Sequence, residues 1–211
     1  MKITVTFHPS FSLSCRDALE EQTRARLTAL HACYAYESIE VCYETFHAQN
    51  PHMLVSAAAD DTERITVRIN TYEVNEPELL RHTIPQTLTH EFHHFIRWRY
   101  ITQFHLAELM VLEGLANHFM MEILGCEKPR YLRPVPDEQL HALLPLIRAE
   151  LFNANFDMRL WQRGDSSRGV PHAFGYSLGF VLVQRYFARH PGRVASNSFD
   201  LDCREVVRCL L

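Results

Sequence analysis

None of the six cysteines (Cys15, Cys33, Cys42, Cys126, Cys203, Cys209) forms a Cys-x-x-Cys pair, and their scatter builds no disulfide framework. Reduced thiols in a cytoplasmic protein are therefore the expectation. Positive charge is also short. The 21 Lys and Arg face 25 Asp and Glu, a net charge of −4 with His neutral. Such a chain has no cationic field to draw nucleic acid or an acidic membrane surface. No apolar run reaches the ~20 residues that span a bilayer. The first residues, MKITVTFHPSF, lack a continuous apolar core and a small-residue cleavage site, so they read as a strand rather than a signal peptide. Repeats and low-complexity tracts are absent as well. Neither nucleic acid nor a membrane is expected as a partner.

What is present suits a globular protein of 211 residues, 47% apolar and 22% charged. Lys2–His8 alternates apolar and polar residues and predicts a strand. Ser14 offers an N-cap for a surface helix reaching about His31, with Leu19, Leu27 and Leu30 among charges. Ile39–Phe46 and the β-branched Glu63–Asn70 predict two further strands. The stretch between them, HAQNPHMLVSAAADD, reads as a loop or irregular edge. From Glu78 onward helical spacing dominates. Leu88, Phe92, Phe95 and Ile96 form an apolar stripe behind Pro85, and Leu106–Leu124 predicts a second helix. The proline-rich Gly125–Glu138 must be a connection. Helices are expected at about Asp137–Phe152 and Pro171–Arg189, separated by the polar loop Gln162–Val170, with a short helix or tail at the end. Strands first and helices after is an α+β order, not the alternation of a parallel-sheet fold.

Within the apolar-striped helix lies THEFHHF, which contains His90-Glu91-x-x-His94. One helical turn apart, both imidazoles can reach one metal ion. Glu91 lies about 100° round the helix, where it can reach a water on the metal without being a ligand. Catalytic zinc takes three protein ligands and keeps one position open. The motif supplies two. Eighteen residues separate His94 from Glu113, in the segment LEGLAN on the next predicted helix. Gly114 beside it permits close helix approach, and Asn117 one turn on is a candidate to support it. Glu108 competes at a shorter spacing. A third ligand of the His-x-x-Gly-x-x-His kind is excluded, because Arg97 and Tyr100 occupy those positions.

TLTHEFHHFIRW, then EGLANHF, then HAFGYSLGFVLV together resemble the YjaZ-like family of predicted zinc-dependent proteases. The Glu113 spacing is similar to that of gluzincins, in which a glutamate is the third zinc ligand. The resemblance runs from about Ile65 to Tyr186 and is loose over the N-terminal strands. It implies a zincin-like α+β fold, with a small N-terminal mixed sheet packed on the HExxH helix and a helical C-terminal part.

A hydrolase of this kind needs a donor for the oxyanion besides the metal. PHAFGYSLGF offers two: His172 in the first turn of a helix begun by Pro171, and Tyr176 one turn later on the same face. The resemblance favours Tyr176. Gly175 and Gly179 beside them make a small-residue stripe suited to close packing. His93 faces away from the His90/His94 pair and reads as a polar helix residue or a supporting donor. His118, five residues past Glu113 and off its face, reads as an ordinary polar residue. Arg97 and Arg99 complement a helix C-terminus, and Trp98 packs.

Two rivals remain. Glu91-x-x-His94 and Glu138-x-x-His141 would suit a di-iron helical bundle, but strands precede the first pair and a proline-rich connection the second. A non-enzymatic or latent regulatory protein that keeps the metal is the other. The presence of Glu91, which hydrolysis needs and structure does not, weighs against it. The expectation is thus one metallopeptidase domain over residues 1–211, strand-rich over 1–75 and helical over 76–211. It would bind one Zn2+ per chain and act on a peptide or protein substrate. No sequence feature speaks to oligomeric state.

Overall fold

The computed structural model describes residues 1–47, 55–59, 61–70 and 77–211, the side chains of 77–79 excepted. The chain forms two compact units, Met1–Arg99 and Tyr100–Leu211.

Among the described residues, the first unit is a four-stranded mixed sheet with two helices. In chain order these are β1 (Lys2–Phe7), α1 (Leu13–His31), β2 (Ser38–Phe46), β3 (Val55–Ala58), β4 (Arg64–Asn70) and α2 (Pro77–Arg97). The strands lie in the order β1-β2-β4-β3. β1 pairs parallel with β2 and β2 with β4, while β3 pairs antiparallel with β4. The alternation in β2 buries Ile39, Val41 and Tyr43. Glu40 and Glu44 fall on the other face, where they meet Arg64 and Arg68 of β4 at 2.8 and 3.0 Å. These half-exposed pairs fix register more than they stabilise, at roughly 0–1 kcal/mol each.

α1 buries the stripe Cys15, Leu19, Thr23, Leu27 and Leu30. Thr23 and Tyr43 share a buried hydrogen bond of 2.7 Å that ties α1 to β2. The helix is capped by Ser12, whose Oγ accepts the N–H of Cys15 at 3.3 Å, not by Ser14. Ser14 already lies in the helix. Val55–Ala58, expected as loop or irregular edge, is a paired strand at the sheet margin. The rest of that expected loop lies partly outside the described residues, at 48–54 and 60. α2 opens at Pro77 and runs through Pro85 instead of starting behind it. The internal proline costs one backbone bond. Nearby, the Thr89 hydroxyl donates to the Pro85 carbonyl at 2.7 Å.

The second unit is helical: α3 (Leu106–Leu124), α4 (Asp137–Glu150), α5 (Met158–Arg163), α6 (Phe174–Arg189) and α7 (Cys203–Val207), with short 3₁₀ turns between. α3 matches its expected limits. It closes on Gly125, whose φ of 60° supplies the left-handed cap. The loop Gln162–Val170 holds the end of α5 and a 3₁₀ turn at Ser166–Arg168, clasped by an Asp165–Val170 bridge. α3 and α6 approach closely because both carry glycine at the crossing. A methyl group on Gly179 would come within 1.9 Å of the Met110 carbonyl oxygen, and one on Gly114 within 2.5 Å of the Gly179 oxygen.

Candidate metal centre

α2 carries the first three site residues. Its inner face buries Leu80, Ile84, Leu88, Phe92 and Phe95 completely. Phe92 and Phe95 pack against Tyr36, with ring centroids 5.5 and 5.9 Å away. From α1, the Arg26 Nε–H donates to the Thr89 hydroxyl at 2.8 Å, immediately before His90. The apolar face therefore fixes the rotation of α2, and rotation decides where the polar residues aim.

His90, Glu91 and His94 each offer a ligand atom within 4.8 Å of the others. Among the described residues this is the group of three or more His, Cys, Asp or Glu side chains so arranged. The two imidazoles meet edge to face, centroids 4.6 Å apart. His94 and Glu91 are buried and His90 is partly exposed. Two imidazole nitrogens and a carboxylate, largely shielded from water, fit the donor preference of zinc. Glu91 has a further constraint: its Oε2 accepts the N–H of Ala59, the residue just past β3, at 2.9 Å. The Trp98 indole N–H donates to the carbonyl of the same Ala59. The end of the edge strand is thus clipped at both backbone groups, to Glu91 of α2 and to Trp98 just past its end.

His93 is not a solvated polar residue. It is fully buried, as is Arg97 one turn on. Burial holds the His93 imidazole well below its ordinary pKa, and His94, Arg97 and His90 push the same way, so it is neutral. Arg99 stays exposed and lies over the Phe95 ring at 5.4 Å.

The remaining candidates belong to the second unit. Glu113 and Glu108 are both buried on α3. Asn117 donates through Nδ2 to the backbone carbonyl of Glu113 at 2.8 Å. Its Oδ1 in turn accepts from the Tyr131 hydroxyl, also at 2.8 Å. The Tyr131 ring stands edge-on to that of Tyr176, centroids 6.0 Å apart. Tyr176 is partly buried, and its oxygen accepts from Gln162 Nε2 at 3.2 Å. Tyr131 thereby links the Glu113 turn to Tyr176. It sits in the proline-rich connection, where no periodicity could have marked it.

His172 departs from expectation. α6 begins at Phe174, behind Ala173 at φ 55°, so Pro171 and His172 precede the helix. They do not share a helical face with Tyr176. His172 is exposed and lines a cavity of about 930 Å³ together with Arg159, Arg163 and Asp165. His118 is stacked on Phe180 at 4.1 Å and bonded to its carbonyl at 3.1 Å, a packed residue. Glu138 and His141 are both exposed on α4, which removes the buried second pair that a di-iron bundle needs.

A family model described as "Predicted Zn-dependent protease (DUF2268)" matches residues 22–208. The chain belongs to that family. Among individual proteins it is similar to the uncharacterized protein YjfC of Bacillus subtilis (strain 168), 27% identical over 157 residues, 68% of this chain and 50% of that protein. The chain thus spans about half the length of this curated relative. No solved structure matches it. No helix among the described residues is long and apolar enough to cross a membrane.

Proposed function

We propose that the protein is a zinc metallopeptidase of the gluzincin kind. In this reading His90, His94 and Glu113 hold one zinc ion and Glu91 is the general base. Residues 1–211 are read as one zincin-like metallopeptidase domain. The observation that carries the reading is the convergence of His90, Glu91 and His94 on a helix whose rotation the core fixes. Zinc, when bound, supplies a Lewis acid that lowers the pKa of water towards ~7 and polarises a carbonyl.

The chain's own residues do the rest. His90 and His94 bind from adjacent turns of one helix. Glu91, its carboxylate oriented by the Ala59 N–H, takes the proton of the attacking water and returns it to the leaving amine. Tyr176 is the proposed hydrogen-bond donor to the oxyanion, with His172 the alternative. β3 is the outer strand of its sheet among the described residues. An extended peptide adding to its edge would run beside the residue that orients the base, which supports a peptide or protein substrate. Cytoplasmic location remains part of the proposal and rests on the cysteine pattern.

Zinc analysis combined with a peptide-library digest, wild type against Glu91→Gln, tests the reading. Stoichiometric zinc in both proteins with cleavage by wild type alone is expected. Zinc without wild-type cleavage would favour a non-enzymatic role for the site, and absence of zinc would overturn the ligand assignment.

A further inference from the structure

A second cavity, about 320 Å³, opens between the last turns of α6 and the C-terminal turn that follows α7. It shares no residue with the candidate metal centre. Arg185 and Arg189, one turn apart on α6, line it together with Arg208. Its one acidic residue is Glu205, whose Oε2 already accepts the Tyr186 hydroxyl at 3.0 Å.

Some arginines of the same unit meet carboxylates, Arg168 with Glu150 and Asp157 and Arg193 with Asp200, while Arg159 and Arg163 of the other cavity do not. The guanidinium groups of the three cavity arginines make no hydrogen bond or ion pair with any described residue. In a chain with more acids than bases, three such guanidinium groups around one cavity are a local excess.

The end of α6 accounts for part of this, since its dipole presents about half a negative charge. Three positive charges less Glu205 and that half charge still leave about one and a half. Arg208 moreover comes from another segment and owes nothing to α6. The field therefore selects an anion. Guanidinium forks bind carboxylates and phosphates in pairs of bonds. A single carboxylate satisfies about one fork, whereas a phosphate dianion has oxygens for three. Leu182 and Val206 give the cavity an apolar flank, and its volume is at the lower end of the ~300–1,000 Å³ of small-molecule sites. It is more than a bare inorganic phosphate fills.

We propose that Arg185, Arg189 and Arg208 form a binding site for a small organic phosphate, with the guanidinium groups on the phosphate and Leu182 and Val206 beside its apolar part. Cys209 also lines the cavity and is exposed, so its thiol reports occupancy.

The experiment titrates the zinc-loaded full chain with phenyl phosphate, inorganic phosphate and benzoate by calorimetry. In parallel, iodoacetamide alkylation of Cys209 is followed by peptide mass spectrometry, with the exposed Cys33 as internal reference. Phenyl phosphate is expected to saturate with a Kd below ~1 mM. At ten times that concentration it should slow Cys209 alkylation about tenfold and leave Cys33 unchanged. Arg189→Gln and Arg208→Gln should each weaken binding at least ~10-fold with an unaltered circular dichroism spectrum. Arg163→Gln, in the other cavity, should not. No saturation, no protection of Cys209, or equal loss with Arg163→Gln would overturn the site. Benzoate binding as tightly as phenyl phosphate would overturn the phosphate, and inorganic phosphate doing so would overturn the organic part.

Discussion

The backbone N–H of Ala59 donates to Oε2 of Glu91 at 2.9 Å, across 32 residues of sequence. Such a bond holds the carboxylate in one orientation on a helix where a free Glu would sample several rotamers. Glutamine keeps the accepting oxygen at the same reach. Glu91→Gln should therefore preserve the fold and stoichiometric zinc while hydrolysis falls ~10²–10⁴-fold, the usual contribution of a general base. Loss of zinc in that variant, measured by atomic absorption, would mean that Glu91 is a ligand.

Glu113 and Glu108 are both buried on α3, so burial does not choose between them. As the third ligand, Glu113→Ala should weaken zinc at least ~10–100-fold in a competition titration with a chromogenic chelator, a scale seen even for supporting residues. Glu108→Ala should leave affinity unchanged. The reverse result would transfer the ligand role to Glu108.

Tyr176→Phe removes only the hydroxyl that accepts from Gln162. If that hydroxyl donates to the oxyanion, kcat should fall ~10²–10³-fold with zinc content and melting temperature unchanged. A variant with wild-type kcat would leave Tyr176 a packing residue, and His172→Ala is then the next to measure.

Close approach of α3 and α6 requires glycine at position 179, where a Cβ would collide with the main chain of Met110. Backbone cannot move aside as the end of a side chain can. Gly179→Ala should cost at least ~1–3 kcal/mol in urea unfolding. Gly192→Ala, where nothing lies within 4 Å of the added methyl, should change stability little.

Burial lowers the His118 pKa below its ordinary 6.5, against weaker opposition from the Phe180 carbonyl and Glu122. Above pH 6.5 the imidazole is neutral folded and unfolded, and the packing is kept. As pH falls below 6.5 the unfolded chain takes up a proton that the folded one resists. Stability then declines until the lower folded pKa is passed. Between pH 7.5 and 5.5 wild type should therefore lose more unfolding free energy than His118→Gln, both measured in urea with chelator present. Equal losses would show that His118 is not linked to folding.

The sequence by itself determined the ends of α3, the strands β1, β2 and β4, and the placing of His90 and His94 one helical turn apart with Glu91 beside His90. Each of these is a local matter. Periodicity reports which face is buried, and a helix fixes the angle between residues three and four apart. Local rules also marked the glycines through which α3 and α6 meet.

Only the tertiary structure decided what depends on a partner distant in sequence. Val55–Ala58 is a strand because β4 is there to pair with it, and Ala59 orients Glu91 only because that strand ends against α2. His93, which reads as a polar helix residue or supporting donor, and Arg97, which reads as a complement to a helix end, are both buried. Tyr131 joins the Glu113 turn to Tyr176 from a loop that carries no pattern. Pro171 was a reasonable helix start, but Ala173 turns the chain left-handed and places His172 outside α6. The arginines of α6 and the C-terminal turn come together only when the chain folds back on itself. Apart from the local turn at Ala173, the deciding energy is a contact between segments, and a sequence read one window at a time holds no record of it.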